Sequence, residues 1–99
     1  MSRSSTDKNF VVVVYDIVEN KARNKVLKLL KGYGDHIQKS AFECFLTDEQ
    51  VRELRDKIME RIDCDKDTVR MYILNEAMRR QTRILGLGRI YEDEKVLIV

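Results

Sequence analysis

The stretch FVVVVYDI, residues 10–17, decides how this chain is read. It is an unbroken apolar run, rich in β-branched residues, that closes on a tyrosine, an aspartate and an isoleucine. Such a run predicts a strand buried on both faces, and hence central in its sheet. Downstream, Ala22, Val26, Leu29, Leu30 and Tyr33 fall on one helical stripe. Gly32 and Gly34 then mark the helix end. Residues 35–46 are extended in character, polar at first like an edge strand and then apolar like an inner one. Two strands are expected there, with a bulge or tight bend near Lys39 and Ser40.

Thr47-Asp48-Glu49-Gln50 carries a capping-box signature, and Val51, Leu54, Ile58 and Ile62 form the buried stripe of a second helix. A turn follows at DCDKD, residues 63–67. Residues 68–74 alternate as a half-buried strand does, with Val69, Met71 and Ile73 on one face. Beyond them the pattern is less regular, with short extra strands possible at residues 83–85 and 96–99. The order β-α-β-β-α-β is that of an α+β, ferredoxin-like fold. Its first and third strands are central, and these are the two apolar ones. Both helices lie on one face, so the other face needs a cover, and a second copy in a homodimer is the simplest one. The expected organisation is a disordered lead at 1–9, one domain at 10–91, and a C-terminal tail or exchanged strand at 92–99.

Bulk properties narrow the class. The 99 residues suffice for one domain, which at this size buries only roughly 60–65% of its unfolded surface. No apolar run approaches the roughly 20 residues of a membrane span, and the first residues do not form a signal peptide. A cytoplasmic location is therefore expected. Cys44 and Cys64 lack the spacing of a zinc site and read as reduced thiols. Asp63, Asp65 and Asp67 open like an EF-hand, but Thr68 stands at its glycine position and Leu74 at its final glutamate. His36 has no acidic or cysteine partner in sequence, and Gly86-Leu87-Gly88 lacks the residues of a phosphate loop.

Net charge is only +2, but it is segregated. Lys21, Arg23, Lys25, Lys28 and Lys31 occur without an intervening acid, and Arg79, Arg80, Arg83 and Arg89 face a single Glu76. Such stretches are candidates for phosphate contact, although a solvated surface is the ordinary fate of charged helix residues. Asp16 is the odd residue, because it closes an apolar strand. It is either a turn or capping aspartate before the first helix, or a carboxylate for a hard cation such as Mg²⁺. An acid beside a basic helix suits metal-assisted phosphodiester hydrolysis.

Tyr15-Asp16-Ile17, residues 21–26 (KARNKV), Tyr33-Gly34 and residues 37–43 (IQKSAFE) together resemble CRISPR-associated protein two, a small subunit of CRISPR spacer acquisition. The likeness covers roughly residues 10–90 and continues weakly through residues 69–72. It implies a ferredoxin-like homodimer that binds double-stranded DNA together with the CRISPR integrase, CRISPR-associated protein one. It also implies Mg²⁺-dependent endonuclease activity on RNA, single-stranded RNA included, or on DNA. The family's metal-binding, catalytic aspartate falls on Asp16 and its neighbouring aromatic on Tyr15. Its basic pair falls on Arg23 and Lys25, and its supporting serine and phenylalanine on Ser40 and Phe42. Lys21 and Lys28, with Arg79, Arg80 and Arg83, complete the candidate nucleic-acid contacts. The chain departs from the family at His36, where a basic residue is common, and at Lys25, where a second arginine is common. A purely non-catalytic DNA-binding scaffold and a toxin-type ribonuclease of the same fold are the alternatives.

Overall fold

The computed structural model describes residues 7–86. The leading residues 1–6 and the expected strand and tail at 92–99 lie outside that range. Seven elements follow in order: β1 Lys8–Asp16, α1 Asn20–Lys31, β2 Gly34–Gln38, β3 Ala41–Thr47, α2 Asp48–Met59, β4 Thr68–Leu74 and α3 Glu76–Arg80. The first six are the ferredoxin-like set. The strands form one antiparallel sheet in the order β2-β3-β1-β4, with the two apolar strands in the middle as expected.

The strands begin and turn for local reasons. β1 starts at Lys8, earlier than the lead expected at 1–9 allows. Asn9 is buried there, and its side-chain amide donates to the Leu46 carbonyl at 3.1 Å and to Asp48 Oδ1 at 2.8 Å. Lys39 and Ser40 make the tight turn between β2 and β3, and the register shifts just before it, between His36 and Gln38. Gly34 is needed for close approach rather than for ending a helix. A Cβ on it would stand 2.3 Å from the Glu43 carbonyl oxygen and 2.4 Å from Cys44 Sγ.

The helices carry their own start and stop signals. Thr47 and Gln50 form both halves of the capping box, Gln50 N–H to Thr47 Oγ1 at 3.2 Å and Thr47 N–H to Gln50 Oε1 at 2.9 Å. In α1 the basic residues Lys28 and Lys31 occupy the last turn, where they complement the helix dipole. α3 is a short element that sequence periodicity did not separate, started by the Asn75 side chain accepting from Met78 N–H at 2.8 Å. Of the extra strand expected at 83–85, only a single bridge at Ile84 forms.

The core lies on one side of the sheet. Val11, Val13 and Tyr15 of β1, with Ile17 just after it, meet Phe42, Cys44 and Leu46 of β3 under Val26 and Leu30 of α1 and Leu54 and Ile58 of α2. Burial and the neighbouring Glu43 push the Cys44 thiol up to about 12. Both cysteines are free.

The expected burial of β1 on both faces does not hold within one chain. Its even positions face away from α1 and α2. Phe10 is buried at one end, Val12 is half-buried, Val14 is 38% exposed and Asp16 is exposed. The gradient follows α3, which contacts β1 and brings the Arg79 guanidinium 5.6 Å from the Phe45 ring centroid, opposite Phe10. On β4, Val69 and Met71 pack against the core as expected, but Ile73 is 46% exposed near the end of this edge strand.

Candidate active site and nucleic-acid interface

Asp16 is the last residue of β1, on the open side of the sheet and directly opposite Thr68 of β4. It lines a shallow cleft of about 310 Å³ with Val14, Tyr15, Thr68, Arg70 and Tyr72. The backbone just beyond it is held from two directions. Arg23 reaches back from α1, its Nε and Nη2 donating to the Ile17 carbonyl at 3.1 and 2.8 Å and Nη2 to the Val18 carbonyl at 3.1 Å. A further bond joins Arg23 Nη1 to Asn20 Oδ1. Asp67 reaches across from the turn before β4. Its carboxylate accepts Val18 N–H at 2.9 Å and Asp63 N–H at 2.8 Å. Those two backbone bonds hold the Asp67 carboxyl below the usual carboxylate range, against an opposing effect of burial. Lys66 adds an ion pair to Glu19 at 2.6 Å.

The expected site residues divide into groups. Arg23 braces the turn after Asp16, with its guanidinium engaged by backbone carbonyls rather than open to phosphates. Tyr15 stands at an odd position of β1, and so on the helix-covered side. Its ring is 3% exposed, its hydroxyl donates to the Lys39 carbonyl at 3.3 Å, and burial raises its pKa. That placement gives the ring a core role. Phe42 is fully buried, with His36 stacked on it at 4.6 Å between centroids. Ser40 supports the same corner, its carbonyl accepting Tyr15 N–H at 3.0 Å.

The remaining cations are placed elsewhere. Lys21 is exposed in the first turn of α1. Lys25 and Lys28 lie on the helical layer, where they line a depression of about 560 Å³ with Leu29, Glu60 and Arg61. Arg79 is ion-paired to Glu76 at 2.6 Å, while Arg80 and Arg83 are exposed. Arg79 sits over Phe45, whose partner Phe10 is six residues along β1 from Asp16, about 20 Å at strand rise. The α1 lysines and the α3 arginines are thus not part of the Asp16 cleft.

Sequence pattern passed over Asp67, Arg70 and Tyr72. Asp67 had been visible only as a failed EF-hand position, and its signal was the aspartate directly before a strand. Arg70 and Tyr72 are alternate positions of β4, so their polar side chains signalled the face opposite the core. Among the described residues no group of three or more histidine, cysteine or acidic side chains converges on one point. Mg²⁺ is commonly held by one or two carboxylates, with waters and substrate phosphates completing its shell. The single exposed carboxylate of Asp16, open to the cleft, fits that one-carboxylate mode.

Residues 9–82 match the family model described as CRISPR associated protein Cas2. The chain belongs to the Cas2 family. It is 38% identical over 86 residues to the CRISPR-associated endoribonuclease Cas2 3 of Chloroflexus aurantiacus, covering 87% of this chain and 92% of that relative. The crystal structure of Streptococcus pyogenes Cas2 superposes with a TM-score of 0.69 at 30% identity, over 78% of this chain and 99% of that one. A chain of a partial Cas6-RT-Cas1–Cas2 complex superposes with a TM-score of 0.66 at 29% identity, over 77% of this chain and 89% of that one.

Proposed function

We propose that this Cas2 family protein works in CRISPR spacer acquisition, as a cytoplasmic homodimer that binds double-stranded DNA together with the integrase Cas1. Family membership supports the pathway, and the similar chain within a Cas1–Cas2 complex supports the partner. The open sheet face, with Val14 and Tyr72 exposed, supports the homodimer, with the Asp16 cleft left between the two copies. Lys21, Lys25 and Lys28 supply sequence-independent phosphate contacts from the outer layer, where they do not compete with the dimer surface.

The same dimer is proposed to be a Mg²⁺-dependent endonuclease on RNA or DNA, as the name endoribonuclease of the Chloroflexus relative supports. The observation that carries this reading is Asp16, an exposed carboxylate at the end of a central strand, set in a cleft whose following turn is braced by Arg23 and Asp67. A bound Mg²⁺ would supply positive charge for the phosphodiester and an activated water. Asp16 would hold the cation, and its counterpart in a second copy would bring another carboxylate. The braced turn keeps the Asp16 backbone in place. A non-catalytic scaffold is the second reading, favoured by the α1 lysines not being among the residues that line the cleft.

Replacing Asp16 with asparagine separates the two. The variant is expected to lose Mg²⁺-dependent cleavage of RNA and duplex DNA while keeping its melting temperature, dimer mass and Cas1-dependent DNA insertion. Cleavage at the parent rate across a Mg²⁺ series would overturn the enzymatic reading and leave the scaffold.

A further inference from the structure

β4 places three more side chains on the Asp16 side of the sheet. The register sets Thr68 opposite Asp16, Arg70 opposite Val14 and Tyr72 opposite Val12, and residues opposite one another in an antiparallel pair share a face. All three line the cleft that holds Asp16. Arg70 is exposed and has no ion pair among the described residues. Tyr72, two residues along the same face of β4, is its neighbour and favours its charged form further. Arg70 and Asp16 are diagonal neighbours across the ladder, a separation of about 7–8 Å or somewhat less between Cβ atoms. The cleft therefore has a carboxylate on one wall and a guanidinium without an ion pair among the described residues on the other.

That arrangement suits a phosphodiester. A lone carboxylate repels a phosphate, and a cation held by the carboxylate satisfies only one side of the group. A guanidinium presents two parallel N–H donors that match two phosphoryl oxygens, which a lysine ammonium does not. We infer that Arg70 is the phosphate-binding residue of the Asp16 cleft, with Tyr72 as the positioning residue that holds its fork toward the scissile group. The inference rests on the reading of Asp16 as the hydrolytic centre, and it assigns the substrate contact that centre lacks. The competing role for Arg70 is an ion pair to a second copy across the open face.

The test compares Arg70→Gln, Arg70→Lys and Tyr72→Phe in the full chain, with and without metal. In EDTA, binding of a single-stranded RNA oligonucleotide is followed across a salt series. One lost phosphate contact flattens the log–log slope by about 0.7, and Arg70→Gln is expected to show that loss while Arg70→Lys retains most of it. With Mg²⁺, Arg70→Gln is expected to cleave about 100-fold or more slowly. Arg70→Lys recovers only part of that rate, because it restores charge without the fork. Tyr72→Phe is expected to slow cleavage with the salt slope unchanged. An Arg70→Gln protein with the parent salt slope overturns the proposal, as does one whose only change is a weaker dimer by light scattering. The metal-free slope decides Arg70 separately from Asp16: if Asp16→Asn still cleaves but Arg70→Gln loses the slope, the hydrolytic reading falls and the phosphate contact stands.

Discussion

On the helix side of the sheet Val11, Val13, Phe42 and Cys44 are fully buried, whereas on the other side Val14 and Tyr72 remain open to solvent. Both sides are built from the same four strands. The helix side is apolar at nearly every position because α1 and α2 cover it, and a polar group there would lose its water. The other side mixes Val12, Val14 and Tyr72 with Asp16, Arg70 and Thr68. One side holds the fold together, and the proposed hydrolytic site lies on the side that the fold does not need. A strand such as β1 can serve both because its side chains alternate, core-forming at odd positions and available at even ones.

The largest expected difference between the two sides is in stability. Phe42→Ala removes a fully buried ring and is expected to cost about 3–5 kcal/mol in urea unfolding, close to the whole stability of a domain this small. Tyr72→Ala on the open side should change monomer stability by only about 0.5 kcal/mol or less. Comparable losses at both positions would mean that the open side is as closely packed as the core in solution.

Association should reverse the order. Val14→Lys puts a charge on the open face and is expected to weaken the proposed homodimer by about tenfold or more, read as mass by light scattering across a dilution series. A dimer unmoved by Val14→Lys would place the contact between copies elsewhere on the chain.

DNA binding probes the outer layer instead. Replacing Lys21, Lys25 and Lys28 with alanine should flatten the slope of log affinity against log salt for duplex DNA by about two to three units. Arg23→Ala is expected to act differently, lowering the melting temperature through the loosened turn while moving the slope little. A flattened slope with an unchanged melt for Arg23→Ala would return that residue to the phosphate contacts.

The smallest effect concerns the brace between the two sides. The folded Asp67 carboxyl lies below its ordinary value of 3.8, so the stability it contributes is present above that pH. That contribution is lost as pH falls from about the ordinary value through the lower folded one. Asp67→Asn keeps one acceptor oxygen where two backbone N–H groups need one each. Its melting temperature should fall below the parent's at neutral pH, and the gap should close in strong acid. A gap that persists at low pH would show that the charge of Asp67 is not what holds the turn.

Much of this protein is local and was therefore readable from the chain itself. The capping box at Thr47 and Gln50, the apolar stripes of both helices, the turn at Lys39 and Ser40 and the order of the strands rest on neighbours a few residues apart. The position of Asp16 at the end of an apolar strand was legible for the same reason. The tertiary structure decided what depends on pairing across the chain. Register alone put Tyr15 inside and Asp16 outside, because a shift of one residue exchanges the two faces of a strand. The bond from Val18 N–H to the Asp67 carboxylate joins residues 49 apart. Arg70 meets Asp16 across a ladder whose two strands are separated by more than half the described chain. A local pattern records which side chains alternate. Which of them become neighbours depends on the long-range pairing, and that is a property of the fold.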